Sequence, residues 1–135
     1  MRVIATNRTK ENLQSLLASL TRIAGAIPLR GFVPDAVPAD LAANAIVINA
    51  TSAGLREDDA CPIDLRTLPR PAAVYDMIYN PPKTRLLRDA ARLGLPNANG
   101  LSMLVHQGAR ALEIWSGVDV PVDAMRGAAE AALPR

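Results

Sequence analysis

Cysteine is almost missing from this chain. Cys61 is the only one, so no internal disulfide can form, and that usage fits a reducing cytoplasm. Aromatic residues are just as sparse, with two Tyr, one Trp and one Phe, which argues against a base-stacking surface for nucleic acid. No apolar run approaches the roughly 20 residues of a membrane span, and the opening MRVIATNRTK lacks the apolar core of a signal peptide. Charge of either sign is modest, with a net +2. It is unevenly spread, however: residues 1–34 hold five basic groups against Glu11, and residues 35–64 hold six acids against Arg56. A basic opening of this size suggests a local anion site, not a nucleic-acid stripe.

What is present is a well-patterned globular chain. Half of the 135 residues are hydrophobic, enough for one domain with a sizeable core over residues 1–135. Residues 2–6 (RVIAT) predict a strand. Leu13, Leu16, Leu17, Leu20 and Ile23 then keep helical spacing, with Thr9 as N-cap and Gly25 as the stop. Residues 27–33 predict a weaker strand interrupted by Pro28 and Gly31. Residues 45–49 (AIVIN) form an unbroken apolar run, as expected of a strand covered on both faces. A long acidic, proline-punctuated loop follows over residues 55–71. Residues 72–82 (AAVYDMIYNPP) predict a buried strand that two prolines end abruptly. Residues 84–93 predict a helix with Leu86, Leu87, Ala90 and Leu93 inward. Residues 95–100 predict a short strand or turn, and residues 101–115 a helix with Leu101, Leu104, Val105, Leu112 and Trp115 as its apolar stripe. Pro121 opens a last Ala-rich helix to about Leu133. Strands alternating with helices at this spacing imply an α/β fold with a doubly wound parallel sheet.

In such sheets ligands bind beyond the carboxyl ends of the strands, and four of those ends carry polar or small residues. Asn7-Arg8-Thr9-Lys10 places two cations and a hydroxyl at a helix start; it fits either a phosphate clamp without a repelling acid or a capped helix with solvated cations. Residues 49–54 (NATSAG) fit a close approach by a flat ring, or an ordinary turn. Tyr79 and Asn80 are delivered by the proline-ended strand. Met103 and Gln107, four apart on one helical face after Asn99-Gly100, could line a cleft. His106 has no acid at a helical partner spacing and reads as a surface residue; Cys61 reads as inert.

Taken together, Asn7-Arg8-Thr9, Asn49-Ala50-Thr51-Ser52, Asp76-Met77-Ile78-Tyr79-Asn80-Pro81 with Thr84, and residues 100–107 (GLSMLVHQ) with Trp115 and Gly117 resemble shikimate dehydrogenase. The motifs come in that family's order and at its spacing, over almost the whole chain. The resemblance implies a carboxyl-terminal, Rossmann-like NADP-binding domain. It also implies NADP-dependent interconversion of 3-dehydroshikimate and shikimate, in aromatic amino-acid (chorismate) biosynthesis. Residue by residue, it implies that Asn7, Arg8 and Thr9 hold the adenosine 2′-phosphate and that Thr51 and Ser52 flank the adenosine. Met77, Gly100 and Met103 would lie against the nicotinamide, and Tyr79 and Gln107 would bind the substrate. Ser102 departs from the Gly that the family commonly has there.

The resemblance starts at the second strand of the nucleotide-binding sheet. It therefore implies a partial sheet that lacks the first strand, the Gly-rich loop and the substrate domain with its catalytic Lys and Asp; no catalytic residue and no metal site is expected here. The expected partners are a small-molecule substrate together with a second copy or a complementing amino-terminal chain. Rival readings are a quinate/shikimate dehydrogenase relative and a non-catalytic nucleotide-binding or interaction remnant. Without its middle strand, the first strand (residues 2–6) is expected to close up on residues 45–49, or another chain to fill the slot.

Overall fold

A computed structural model describes residues 2–133. Four-residue strands β1 (Val3–Thr6) and β2 (Leu29–Phe32) flank helix α1 (Lys10–Ala24) and pair in parallel, Val3 opposite Leu29 through Thr6 opposite Phe32. Strands β3 (Ile46–Asn49), β4 (Ala73–Asp76) and β5 (Asn97–Asn99) form a second parallel sheet in that order. Between β3 and β4 the acidic loop contains a short 3-10 turn, Leu65–Thr67. Helix α2 (Arg85–Arg92) joins β4 to β5, and α3 (Leu101–Ser116) and α4 (Val122–Ala132) close the chain. Pro121 stands at the N-cap of α4, not inside its first turn.

The sheet does not close up. No ladder joins β1 to β3 among the described residues, so the expectation that they pair directly is corrected. The two sheets are instead linked through side chains, because Phe32 of β2 and Val47 of β3 pack on one cluster of Ile63, Leu65, Val74, Leu86, Leu87, Ala90 and Leu95. Nor is β3 covered on both faces: Ile46 is 64% and Ile48 60% exposed. Ile46 and Ile48, two apart, share the uncovered face, and β3 is also the end strand of its sheet.

Helix α2 shows why the core lies where it does. Its apolar residues Leu86, Leu87 and Ala90 are buried, and each of the two leucines contributes about 1.5–3 kcal/mol by leaving water. Thr84 caps the helix by accepting from the Leu87 N–H. Gly94 ends it at φ 64°, with its N–H donating to the Ala91 carbonyl and the Leu95 N–H to the Ala90 carbonyl. That double bond pattern needs a left-handed residue, which Gly supplies without strain. Leu93, expected inward, stands at the C-cap and is exposed.

The longer helices are less covered than their periodicity suggests. Of the α1 stripe only Leu13 is buried, and Ile23 is 82% exposed. The 15 residues of α1 run ~22 Å, whereas four-residue strands run only ~13 Å, so the helix overhangs its sheet. In α3, Val105 and Ala109 are buried and Trp115 is 81% exposed, which corrects its placement in the core stripe. Helix α4 packs on α3, with Met125 3.5 Å from where a Cβ on Gly108, in the middle of α3, would be.

Candidate functional site

At the carboxyl ends of β3 and β4 three buried polar side chains form a closed network. Asn49 Nδ2 donates to Asp76 Oδ1 (3.0 Å) and to the Ala53 carbonyl (3.1 Å). The Ile78 N–H donates to the same carboxylate oxygen (3.1 Å), and Thr84 Oγ1 donates to Asp76 Oδ2 (2.6 Å). Asn49 Oδ1 accepts from both the N–H (3.1 Å) and the hydroxyl (2.7 Å) of Thr51. Asp76 is 0% exposed and Thr84 1%. A buried carboxyl is tolerated only where donors saturate it, and here three do. The network clamps the turn after β3, the exit of β4 and the start of α2 into one frame.

That frame holds several of the sequence-predicted site residues side by side. The Met77 N–H donates to the Asn49 carbonyl (3.0 Å) and the Gly100 N–H to the Ile78 carbonyl (3.2 Å). A Cβ on Gly100 would come within 2.0 Å of the Met77 carbonyl oxygen, so only Gly permits this approach of the α3 start to the β4 exit. Thr51, Ser52, Met77, Tyr79 and Gln107 are exposed and Met103 half-buried. Because β3, β4 and β5 are parallel, residues 51–52, 77–79 and the Gly100 turn all emerge at one edge of their sheet.

Asn7, Arg8 and Thr9 emerge from β1, in the other sheet, and no ladder joins them to that edge. The Thr9 N–H donates to Asn7 Oδ1 (2.9 Å), which fixes the turn, and the Leu13 N–H to the Thr9 carbonyl (3.0 Å). Thr9 stands at the N-cap of α1, yet its side chain makes no capping bond. Arg8 is exposed and forms no ion pair among the described residues. This donor set of a neutral Asn, a free guanidinium and a helix start with no acid before it suits a phosphate and would not favour a bare ribose diol.

Sequence reasoning gave Asp76 no role and mentioned Thr84 only within a motif. The signal was a single charge inside an apolar run, AAVYDMI, followed eight residues later by a Thr before a helix. It also left His106 without a partner, whereas Arg126 of α4 places Nη2 3.3 Å from His106 Nε2 and 3.2 Å from Ser102 Oγ. Cys61 is half-buried and donates to the Ile63 carbonyl (3.2 Å); burial pushes its thiol pKa up, in keeping with an inert role. Among the described residues no cluster of His, Cys, Asp or Glu could hold a metal ion, and no helix is long and apolar enough to cross a membrane.

Parallel β-α units whose strand ends gather at one side of the sheet define a Rossmann-like α/β segment. Comparison with known proteins places it further. Residues 100–130 match the family model of the Shikimate 5'-dehydrogenase C-terminal domain. The NADP(+) shikimate dehydrogenase of Symbiobacterium thermophilum is 44% identical over 98% of this chain and 46% of its own length. The crystal structure of the Thermus thermophilus shikimate 5-dehydrogenase, in complex with NADP(H) and shikimate, superposes with a TM-score of 0.77 at 33% identity, over 98% of this chain and 47% of that one. The quinate dehydrogenase of Corynebacterium glutamicum in complex with NAD superposes at 0.79, with 25% identity over 98% of this chain and 46% of that one. Along nearly its whole length the chain is thus similar to part of NADP(+) shikimate dehydrogenases. It spans about half the length of the curated relatives it matches.

Proposed function

We propose that this chain is the cofactor-binding part of an NADP-dependent shikimate dehydrogenase. The observation that carries the reading is the pairing of homology along nearly the whole chain with an unpaired Arg8, not an acid, at the β1 end. In this reading Asn7, Arg8 and Thr9 hold the 2′-phosphate, and Thr51 and Ser52 flank the adenosine. Met77, Gly100 and Met103 form the wall against the nicotinamide, which when bound supplies the hydride-accepting carbon. Tyr79 and Gln107 donate to or accept from hydroxyls of shikimate or 3-dehydroshikimate. The Asn49–Asp76–Thr84 network holds the turns that carry these residues, and so contributes alignment without touching a ligand. Arg8 favours NADP over the NAD found with the quinate dehydrogenase.

In this reading the acid–base Lys and Asp belong to the substrate domain of the family, outside the part that this chain matches. We therefore expect the chain alone to be inactive, since general acid–base catalysis contributes ~10²–10⁴-fold. The open edges of β1 and β3 call for a strand between them, supplied by an amino-terminal segment or by a second copy. Shikimate-dependent NADPH formation, assayed with and without the amino-terminal half of a homologue added as a separate chain, tests this reading. Activity should appear only in the mixture. Turnover by the 135-residue chain alone, or none in a mixture shown to associate, would contradict it.

A further inference from the structure

Beside the Asp76 network lies a cavity of about 350 Å³ between the loop after β3 and the start of α2. Four cations line it, Arg56, Lys83, Arg85 and Arg88, against the single acid Glu57. It shares no residue with the Asn7–Lys10 strand end.

Among the described residues none of the four cations is in an ion pair. Asp59, its carboxyl pKa lowered first by the backbone N–H groups of Arg56 and Gly54, does lie close enough to Arg56 to be lowered by its charge as well. The ion pairs of the described residues are Arg30–Asp40, Arg66–Asp64, Arg92–Asp89 and Arg110–Glu113. Asp89 stands one helical turn after Arg85, where it could pair with it, but its carboxylate binds Arg92 at 2.7 Å. Asp59, in the opposite loop, accepts from the backbone N–H groups of Gly54 and Arg56, both at 3.0 Å. Arg88 Nη1 donates to the Lys83 carbonyl (2.9 Å), which draws the guanidinium back toward the first turn of α2.

This concentration of charge is locally unfavourable. The first turn of α2 contains no acid, and cations there oppose the positive end of the helix dipole. Asp59 offsets Arg56 in part, but Lys83, Arg85 and Arg88 have no ion-pair partner among the described residues. A local rule so broken points to compensation from outside the fold. The walls are also fixed, since Gly54 is held by Asp59 and Thr84 by Asp76.

We propose that this cavity binds a compact polyanion, a ligand end bearing two or more phosphates. Arginine forks and a lysine point charge match phosphate oxygens, and the space admits one small group. An acidic peptide would need an extended groove or an unpaired strand edge, and the open edge of β3 is not among the lining residues. The assignment does not rest on the dehydrogenase reading, which puts its phosphate contact at Arg8.

The test is a titration of the chain with pyrophosphate, followed through backbone amide resonances. Gly54, Thr84 and Arg85 should shift together. The doubly substituted Lys83→Ala, Arg85→Ala chain should bind at least about tenfold more weakly, while its thermal midpoint without ligand stays equal or rises. Arg8→Ala should leave those shifts unchanged. The proposal is overturned if the double variant binds pyrophosphate as well as the parent chain. It is equally overturned if Arg8→Ala abolishes the shifts, or if a hexaglutamate peptide displaces pyrophosphate at equal concentration.

Discussion

Replacing Asp76 by Ala removes the one acceptor on which three donors converge: Asn49 Nδ2, the Ile78 N–H and the Thr84 hydroxyl. Each donor left unpaired in a buried place costs about 1–3 kcal/mol. The space vacated by the carboxyl can admit water, so the sum should fall near the low end, roughly 3–5 kcal/mol. That is a large share of the ~5–15 kcal/mol that holds a domain together. Asp76→Asn keeps the shape and one acceptor oxygen, and Thr84 can rotate to accept from the new amide. Its loss should be smaller, about 1–2 kcal/mol. Urea denaturation of the three proteins, with the slope checked for constancy, reads the difference directly. A double-mutant cycle with Thr84→Val should also show coupling of about 0.5–3 kcal/mol. An Asp76→Ala midpoint within about 0.5 kcal/mol of the parent, the range of an ordinary surface change, would refute the role given to this network. So would an Asn variant as damaged as the Ala variant, because charge and not hydrogen-bond count would then be the cause.

Other changes follow from the same geometry. Gly100→Ala puts a methyl 2.0 Å from the Met77 carbonyl oxygen, so its cost should reach or exceed the ~3 kcal/mol upper end of ordinary overpacking; a thermal midpoint equal to the parent's would contradict the contact. The Cys61 thiol, raised above its ordinary 9.0 by burial, should alkylate with a pH midpoint above 9.0. Its contribution to stability is present below the unfolded-state value and is lost as pH rises through the folded-state one; a midpoint at or below 9.0 would mean that the thiol is solvated.

The helices and strands were legible in the sequence because their periods are clean and their stops are chemically marked. Gly94 stops α2 where its residue type requires it, whereas β4 ends at Asp76, five residues short of the Pro81-Pro82 pair expected to end it. What periodicity could not give is how far each stripe is covered. Ile23 and Trp115 keep the helical spacing of a core residue and are exposed, because the sheets beneath them are only three or four residues long. The failure of β1 and β3 to pair has a similar origin. Local propensity specifies each strand but not its neighbour, and side-chain packing of Phe32 and Val47 joins the sheets without a ladder. Of the candidate site, Thr51, Met77 and Gly100 are held in one frame. The Asp76–Thr84 pair that holds it lies eight residues apart across a proline loop, a contact that no period in the sequence announces.

The most direct measurement is the affinity of the chain for adenosine 2′,5′-bisphosphate against AMP, followed at the amides of residues 7–10. The parent chain should prefer the 2′-phosphorylated ligand. Arg8→Ala should weaken that ligand by about 1.5–3 kcal/mol, the worth of hydrogen bonds to a charged group, and leave AMP nearly untouched. Equal binding of the two ligands by the parent chain, or equal weakening of both by Arg8→Ala, would contradict the reading of this chain as an NADP-binding part.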